Sequence, residues 1–245
     1  MTLHFPNESV GYRAARNTLL DAEIELRRSM ESVAAARRAL PEGGLVPDDY
    51  VFQGALGDHS TGDISMSQLF SPGKSSLAIY NFMFPRNPSD TRAGPASGET
   101  AELPLDESPC PSCVALLDQL DGAAPHLSPL MTFAVVAKTP IERLRVFGRE
   151  RGWKHLLLLS SARNSFNADY GGETGGFQQP MFNVFTMRDG TIRHFWGAEL
   201  LYAPMDPGQD MRHVGTLEPM WNMLDFMPEG RRANWDEQLH YSCCH

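Results

Sequence analysis

Cys110 and Cys113 are the residues whose type and spacing best suit them to chemistry. They stand in Pro109-Cys110-Pro111-Ser112-Cys113, just ahead of the apolar run Val114-Ala115-Leu116-Leu117, which reads as a helix reaching about Ala124. A helix start carries partial positive charge from amides that lack intrahelical partners, and this charge stabilises a thiolate. Proline is suited to the first turn, where no amide hydrogen is needed. The spacing puts Cys113 one turn further on, close enough to close a disulfide with Cys110. Thiols in such pairs ionise well below the usual range. Cys110, nearer the helix start, is expected to be exposed and to act as the nucleophile, with Cys113 more buried and resolving.

Taken alone, the pair also admits inert thiols or half of a zinc site. The other zinc ligands would have to come from His240, Cys243, Cys244 and His245, and two adjacent cysteines suit one tetrahedral ion poorly. Haem attachment is excluded, because Val114 rather than histidine follows Cys113. His126, His155, His194 and His213 are scattered singly and read as structural. Met220, Met223 and Met227 fall at helical spacing and read as core rather than as copper ligands. No metal and no cofactor is assigned.

The 245 residues carry a formal charge of −9, which argues against nucleic acid as a partner. The one cationic cluster, Arg27, Arg28, Arg37 and Arg38, is interleaved with Glu23, Glu25 and Glu31 as on a solvated helix face. The N-terminus lacks the basic start and apolar stretch of an export signal, and no run is long enough to span a bilayer. A cytoplasmic setting without membrane contact follows, where permanent disulfides are uncommon. With 42 % apolar residues and 13 Phe, the chain has material for a sizeable core.

The elements that must position the pair follow from hydrophobic periodicity. Residues 11–40 predict one long helix, with Leu19, Leu26, Met30, Val33 and Leu40 on one stripe and Pro41 with Gly43-Gly44 as the stop. Such a stripe needs a surface: the domain's own flank, or a second copy in a homodimer. Strands are predicted at Tyr50–Gln53, Ser76–Phe84, Leu130–Ala137 and Leu156–Leu159, with a helix over Ile141–Arg151. Met181–Met187 and Thr191–Trp196 flank Arg188-Asp189-Gly190, a hairpin signal. A last helix is predicted over 214–226. Residues 85–109, with five Pro and two Gly, predict a mobile flap beside the site. Strands alternating with helices imply an α/β fold, a central sheet with helices on both faces.

At this point the chain resembles a bacterial thioredoxin-like family of unknown function labelled predicted dithiol–disulfide oxidoreductase. The likeness rests on Arg37-Arg38-Ala39-Leu40-Pro41, Tyr80-Asn81-Phe82-Met83-Phe84, Cys110-Pro111-Ser112-Cys113, Pro125-His126-Leu127, Phe133-Ala134-Val135-Val136, Gly152-Trp153, Val184-Phe185 with Arg188-Asp189-Gly190, and Pro228-Glu229-Gly230-Arg231. It spans nearly the whole chain. It implies a thioredoxin-like fold, a central mixed sheet flanked by helices, with a long N-terminal helix and a C-terminal helix. The expected organisation is a helical extension over 1–45, the thioredoxin-like domain over 46–230 and a polar tail over 231–245. The implied activity is thiol–disulfide exchange with a protein or small-molecule disulfide.

In thioredoxin-like folds a cis proline heads the hairpin strand and faces the cysteines, so Gln179-Pro180 is expected to be cis and to bind substrate. The null alternative is a simple strand-start proline. The buried acid that assists proton transfer in thioredoxins has no evident counterpart in Ser76–Phe84; Asp106, Glu107 and Asp169 are candidates. Two alternatives stand beside exchange: a peroxidase on this fold, and a non-catalytic metal- or ligand-binding protein. Peroxiredoxins place Pro, three residues, Thr or Ser, two residues, then the reactive cysteine. Leu103 and Glu107 occupy those positions ahead of Cys110, and Asp106 and Cys110 ahead of Cys113; neither fits.

Overall fold

The structure, a computed structural model, describes residues 3–56, 60–207, 209, 217–226 and 235–241. The chain divides into two compact units, Met1–Gly43 and Gly44–His245. In the first unit, helix α1 runs Val10–Arg38. The Ser9 hydroxyl caps its start, accepting from the Tyr12 amide at 3.1 Å, and Arg37 and Arg38 lie in the last turn, where cations suit the helix dipole. No residue of α1 is buried.

The second unit is built on a seven-stranded sheet in the order β2-β1-β5-β4-β3-β8-β9. Its members are β1 (Val51–Leu56), β2 (Ser60–Ser65), β3 (Ser76–Phe82), β4 (Thr132–Ala137), β5 (Leu157–Ser160), β8 (Met181–Arg188) and β9 (Thr191–Gly197). The β3/β4 and β4/β5 pairs are parallel and the rest antiparallel. Helices α2 (Pro111–Leu127) and α3 (Ile141–Arg151) are the crossovers from β3 to β4 and from β4 to β5. Because β3, β4 and β5 step across the sheet in one direction, crossovers of one hand place both helices on one face.

Alternation along the strands supplies two cores. Tyr80, Phe82, Val135 and Ala137 point to the α2 and α3 side and pack with Val114, Leu117, Leu144 and Phe147. Leu77, Ile79, Ala134 and Val136 pack on the opposite side with Phe52, Met66, Phe166 and Phe185. Each Val, Leu, Ile, Met or Phe side chain among these contributes about 1.5–3 kcal/mol on burial, and the alanines less. The second face is covered by short pieces, a 3₁₀ turn at Met66–Leu69 and helix α4 (Phe166–Asp169), rather than by long helices. A two-stranded hairpin, β6 (Glu173–Thr174) with β7 (Phe177–Gln178), precedes β8. This mixed sheet flanked by helices is the thioredoxin-like fold that the resemblance implies.

The β8–β9 turn has Asp189 and Gly190 at φ 48° and 74°, the left-handed pair that a two-residue hairpin loop demands. β2 was not legible: Ser60-Thr61-Gly62-Asp63 is polar, as an edge strand paired on one side can be. Helix α5 spans Pro219–Asp225; residues 214–216 of the predicted last helix lie outside the described residues. Residues 85–109 carry 3₁₀ turns at Glu99–Glu102 and Leu105–Glu107. They are fastened rather than free. The Glu150 carboxylate accepts from the Glu99 amide at 2.6 Å and from the Thr100 amide at 3.4 Å. Arg86, 1 % exposed, ties the segment from within. The flap expected from composition is an ordered wall.

Candidate active site

Cys110 is the N-cap of α2, with Pro111 in the first turn. Its amide donates to the Met83 carbonyl at 3.0 Å, and its carbonyl accepts from the Val114 amide at 3.0 Å. The segment that leaves β3 and the start of α2 therefore grip the Cys110 backbone directly. Cys113 lies one turn inside, packed in the α2–α3 core. Both are thiols in this structure. Cys110 is only 2 % exposed and Cys113 fully buried, so the expectation that Cys110 is exposed is corrected. Cys110 lies at a cleft of about 700 Å³ whose wall includes Asp90 and Arg92 of the 85–109 segment and Asp236 and Glu237.

The two thiols titrate far apart. The Cys110 pKa is brought down to about 7, foremost by a hydrogen bond from the Cys113 thiol, then by the Cys113 amide and the Arg92 guanidinium; burial and Asp90 oppose this. Cys113 is pushed well up by burial and by the Cys110 sulfur, while a hydrogen bond with the Tyr80 hydroxyl works the other way. Tyr80 is wholly buried, and its own pKa is pushed well up, by that burial first and by Cys113 next. The first proton therefore leaves Cys110 and the second is held.

A polar network missed in the sequence surrounds Cys110. Arg92 Nη2 donates to Cys110 Sγ at 3.8 Å and Nη1 to Ser112 Oγ at 2.9 Å. Both Asp90 carboxylate oxygens hold the guanidinium, at 2.9 and 2.8 Å. Ser112 Oγ donates to Glu237 Oε2 at 2.9 Å, and Trp221 Nε1 to Glu237 Oε1 at 3.0 Å. Arg86 Nη2 donates to the Pro109 carbonyl at 2.7 Å, fixing the residue before Cys110. Glu237 and Leu239, placed in a polar tail on composition, are buried. Arg92 and Glu237 lie 18 and 127 residues from Cys110 in sequence, at no motif spacing that could have joined them.

Gln179 and Pro180 line the same cleft as Cys110. The expectation of a cis bond is corrected: among the described residues the cis bond is Phe84-Pro85, and Gln179-Pro180 is not cis. Pro180 leads straight into β8, where Met181 is already in register with Asn81, and its carbonyl accepts from the Tyr202 hydroxyl at 2.5 Å. The acid candidates are elsewhere engaged: Glu107 pairs with Arg143 at 2.9 Å, and Asp169 accepts from Tyr50 at 2.8 Å. Asp106 does not line the cleft. The buried carboxylates on this side are Glu218, whose charge bears on Tyr80, and Glu237.

His194 is structural, its Nε2 2.9 Å from Asn183 Oδ1. Among the described residues no three His, Cys, Asp or Glu side chains converge as around a metal ion. Cys243, Cys244, His213, Met227 and Pro228 to Arg231 lie outside the described residues. No helix among the described residues is long and apolar enough to cross a membrane.

Residues 1–243 match the family described as bacterial protein of unknown function, DUF899, and the chain belongs to it. No curated protein matches it. Solved structures similar to it include the peroxidoxin BcpB from Mycobacterium tuberculosis, at 16 % identity over 62 % of this chain and 82 % of that one, with a TM-score of 0.38. PrxQ from Xylella fastidiosa is similar at 10 % identity over 76 % and 96 %, TM-score 0.45. A thiol peroxidase from Chromobacterium violaceum is similar at 14 % over 76 % and 87 %, TM-score 0.40.

Proposed function

We propose that the protein is a dithiol–disulfide oxidoreductase in which Cys110 attacks and Cys113 resolves. The observation that carries this reading is the unequal pair: a thiol ionising at about 7 at a helix N-cap beside a cleft, with a second, harder-to-ionise thiol one turn behind it. Exchange needs this asymmetry. The Cys110 thiolate attacks one sulfur of a disulfide, forming a mixed disulfide and expelling one thiolate, which takes up a proton. Cys113 then gives up its proton as its sulfur attacks Cys110 Sγ, releasing the second thiol. The Cys110–Cys113 disulfide holds the oxidising equivalents, and two electrons have passed to the substrate.

Gln179 and Pro180, which line the same cleft as Cys110, would position the substrate. A cytoplasmic setting suits a pair kept reduced between turnovers. The same sulfurs also permit peroxide reduction, a reading that the near-complete burial of Cys110 favours because a peroxide is small. In that case Cys110 would take one peroxide oxygen as a sulfenic acid while the other leaves, protonated, as water or an alcohol. Condensation of the sulfenic acid with the Cys113 thiol would form the disulfide and release water. Turnover driven by dithiothreitol decides between them. The exchange reading expects Cys110-dependent reduction of a small disulfide, with hydrogen peroxide consumed no faster than by free dithiothreitol. The reverse result overturns it in favour of the peroxidase.

A further inference from the structure

The cleft above Cys110 also constrains what can enter. Its floor is a sulfur on a residue 2 % exposed, and its volume, about 700 Å³, is that of a pocket for a small organic molecule. Asp236 and Glu237 form part of its wall, with Glu237 bonded to Ser112 and Trp221, and the chain beyond them is fastened by the Leu239 carbonyl accepting from Arg151 Nη1 at 2.7 Å. A disulfide embedded in a folded chain would have to pass between these walls to bring its sulfur to the nearly buried Cys110.

The charge of the lining is one-sided. Among the described residues its charged side chains besides Cys110 are Asp90, Arg92, Asp236 and Glu237. The single cation is already claimed, by both oxygens of Asp90 and by Glu237 Oε2 at 3.6 Å. Arg86 stands behind the wall with its side chain fully buried, bonded to the carbonyls of Pro109, Arg92 and Ala93 and 3.9 Å from Asp90. Even with Arg86 counted, three carboxylates face two guanidiniums, and the Cys110 thiolate adds a further negative charge. Asp236 is exposed at the rim, where an approaching charge would meet it first.

We propose that the substrate is a low-molecular-weight disulfide carrying ammonium groups near its S–S bond. This rests on the exchange reading of Cys110 and deepens it. The disulfide accepts two electrons from the Cys110–Cys113 dithiol and leaves as two thiols; a dithiol such as dithiothreitol then reduces the enzyme disulfide.

The test compares cystamine (cationic), hydroxyethyl disulfide (neutral) and dithiodiglycolate (anionic) on the full chain with dithiothreitol as reductant. Each rate is normalised to that of a free thiol in the same buffer, because the leaving thiols differ in pKa. The expected order is cystamine, hydroxyethyl disulfide, dithiodiglycolate, with about tenfold or more in kcat/KM between the extremes at low salt, narrowing as salt screens the rim. Asp236→Asn is expected to lower the cystamine rate more than the hydroxyethyl disulfide rate and so to shrink the preference. Three Cys110-dependent rates without this order, or insulin reduced faster than all three, overturn the inference and leave the exchange reading standing. If Cys110→Ser matches the wild type on every disulfide, the exchange reading itself fails.

Discussion

The guanidinium of Arg92 stands 3.8 Å from Cys110 Sγ while Asp90 holds its far side through both carboxylate oxygens. The cation is thereby aimed rather than merely nearby. It lowers the Cys110 pKa, but less than the hydrogen bond from Cys113 does. Alkylation of the reduced protein by iodoacetamide is expected to rise through about pH 7 rather than near the ordinary value of 9.0. Arg92→Gln moves that midpoint up and slows alkylation at neutral pH several-fold, since one pKa unit is about 1.4 kcal/mol. Cys113→Ala removes the larger cause and moves it further. A midpoint unchanged in both variants would show that neither group sets the thiolate. The same shift has a sign for stability: the ionised thiol strengthens the reduced fold above the unfolded value, and this contribution is lost as pH falls through about 7.

The unequal sulfurs predict unequal mutants. Cys113→Ser leaves the Cys110 thiolate in place and removes the one other cysteine sulfur among the described residues, so a mixed disulfide on Cys110 accumulates with hydroxyethyl disulfide. Cys110→Ser accumulates none, because Cys113 is fully buried. Intact mass under non-reducing conditions reads both. An adduct on Cys113 in the Cys110 variant would reverse the assigned roles.

Tyr80 acts one step later. Its hydroxyl bonds Cys113 and eases that thiol's ionisation against the cost of burial. Tyr80→Phe keeps the ring in the core and deletes that bond. Resolution slows about tenfold, the size of one such hydrogen bond, and the mixed disulfide becomes visible during turnover of a chain with both cysteines. Alkylation of Cys110 keeps its midpoint, which separates this role from a general loosening of the site.

The contrast between Cys110 and Arg92 marks what the sequence could carry. A helix start, an adjacent proline and a cysteine one turn on are local, so Cys110, Cys113 and α2 were legible. So were β3, β4, α3 and the hairpin, whose apolar periodicity and Asp-Gly turn are also local signals. Arg92, Glu237 and Trp221 reach the site only through the chain's return across it, and no composition rule distinguishes them from surface residues. The burial of Cys110 was misjudged for the same reason: its cover comes from segments read as a flap and a tail. The cis expectation at Gln179-Pro180 came from fold analogy rather than from residues in this chain, and the entry into β8 needs no such bond.

Residues 235–241 and the last four residues are predicted to behave differently. Removing residues 242–245 takes Cys243 and Cys244 with it and leaves dithiothreitol-driven turnover unchanged, if neither cysteine relays electrons. Removing 235–245 also deletes Glu237 from Ser112 and Trp221, and Leu239 from the core. Cys110 then reacts with a bulky maleimide at least about tenfold faster, as uncovering of a buried thiol requires. Equal maleimide rates for the two truncations would mean that the 235–241 segment does not cover the site.

Arg86 carries the last prediction. Its side chain is fully buried, and it donates to the carbonyls of Pro109, Arg92 and Ala93, drawing the two ends of the 85–109 wall together directly before Cys110. Arg86→Met keeps much of the volume and leaves those carbonyls without their donor, each at a cost of about 1–3 kcal/mol if water cannot reach it. We expect a loss of about 3 kcal/mol in denaturant unfolding, within the range for removing a buried charged partner. Arg86→Lys recovers only part of it, because a single ammonium cannot present the planar fork that meets several carbonyls at once. The wall also sets where Arg92 stands. Arg86→Met is therefore expected to raise the Cys110 alkylation midpoint in the same direction as Arg92→Gln. A variant that loses stability while keeping the midpoint near pH 7 would show that Arg86 holds the wall without placing Arg92.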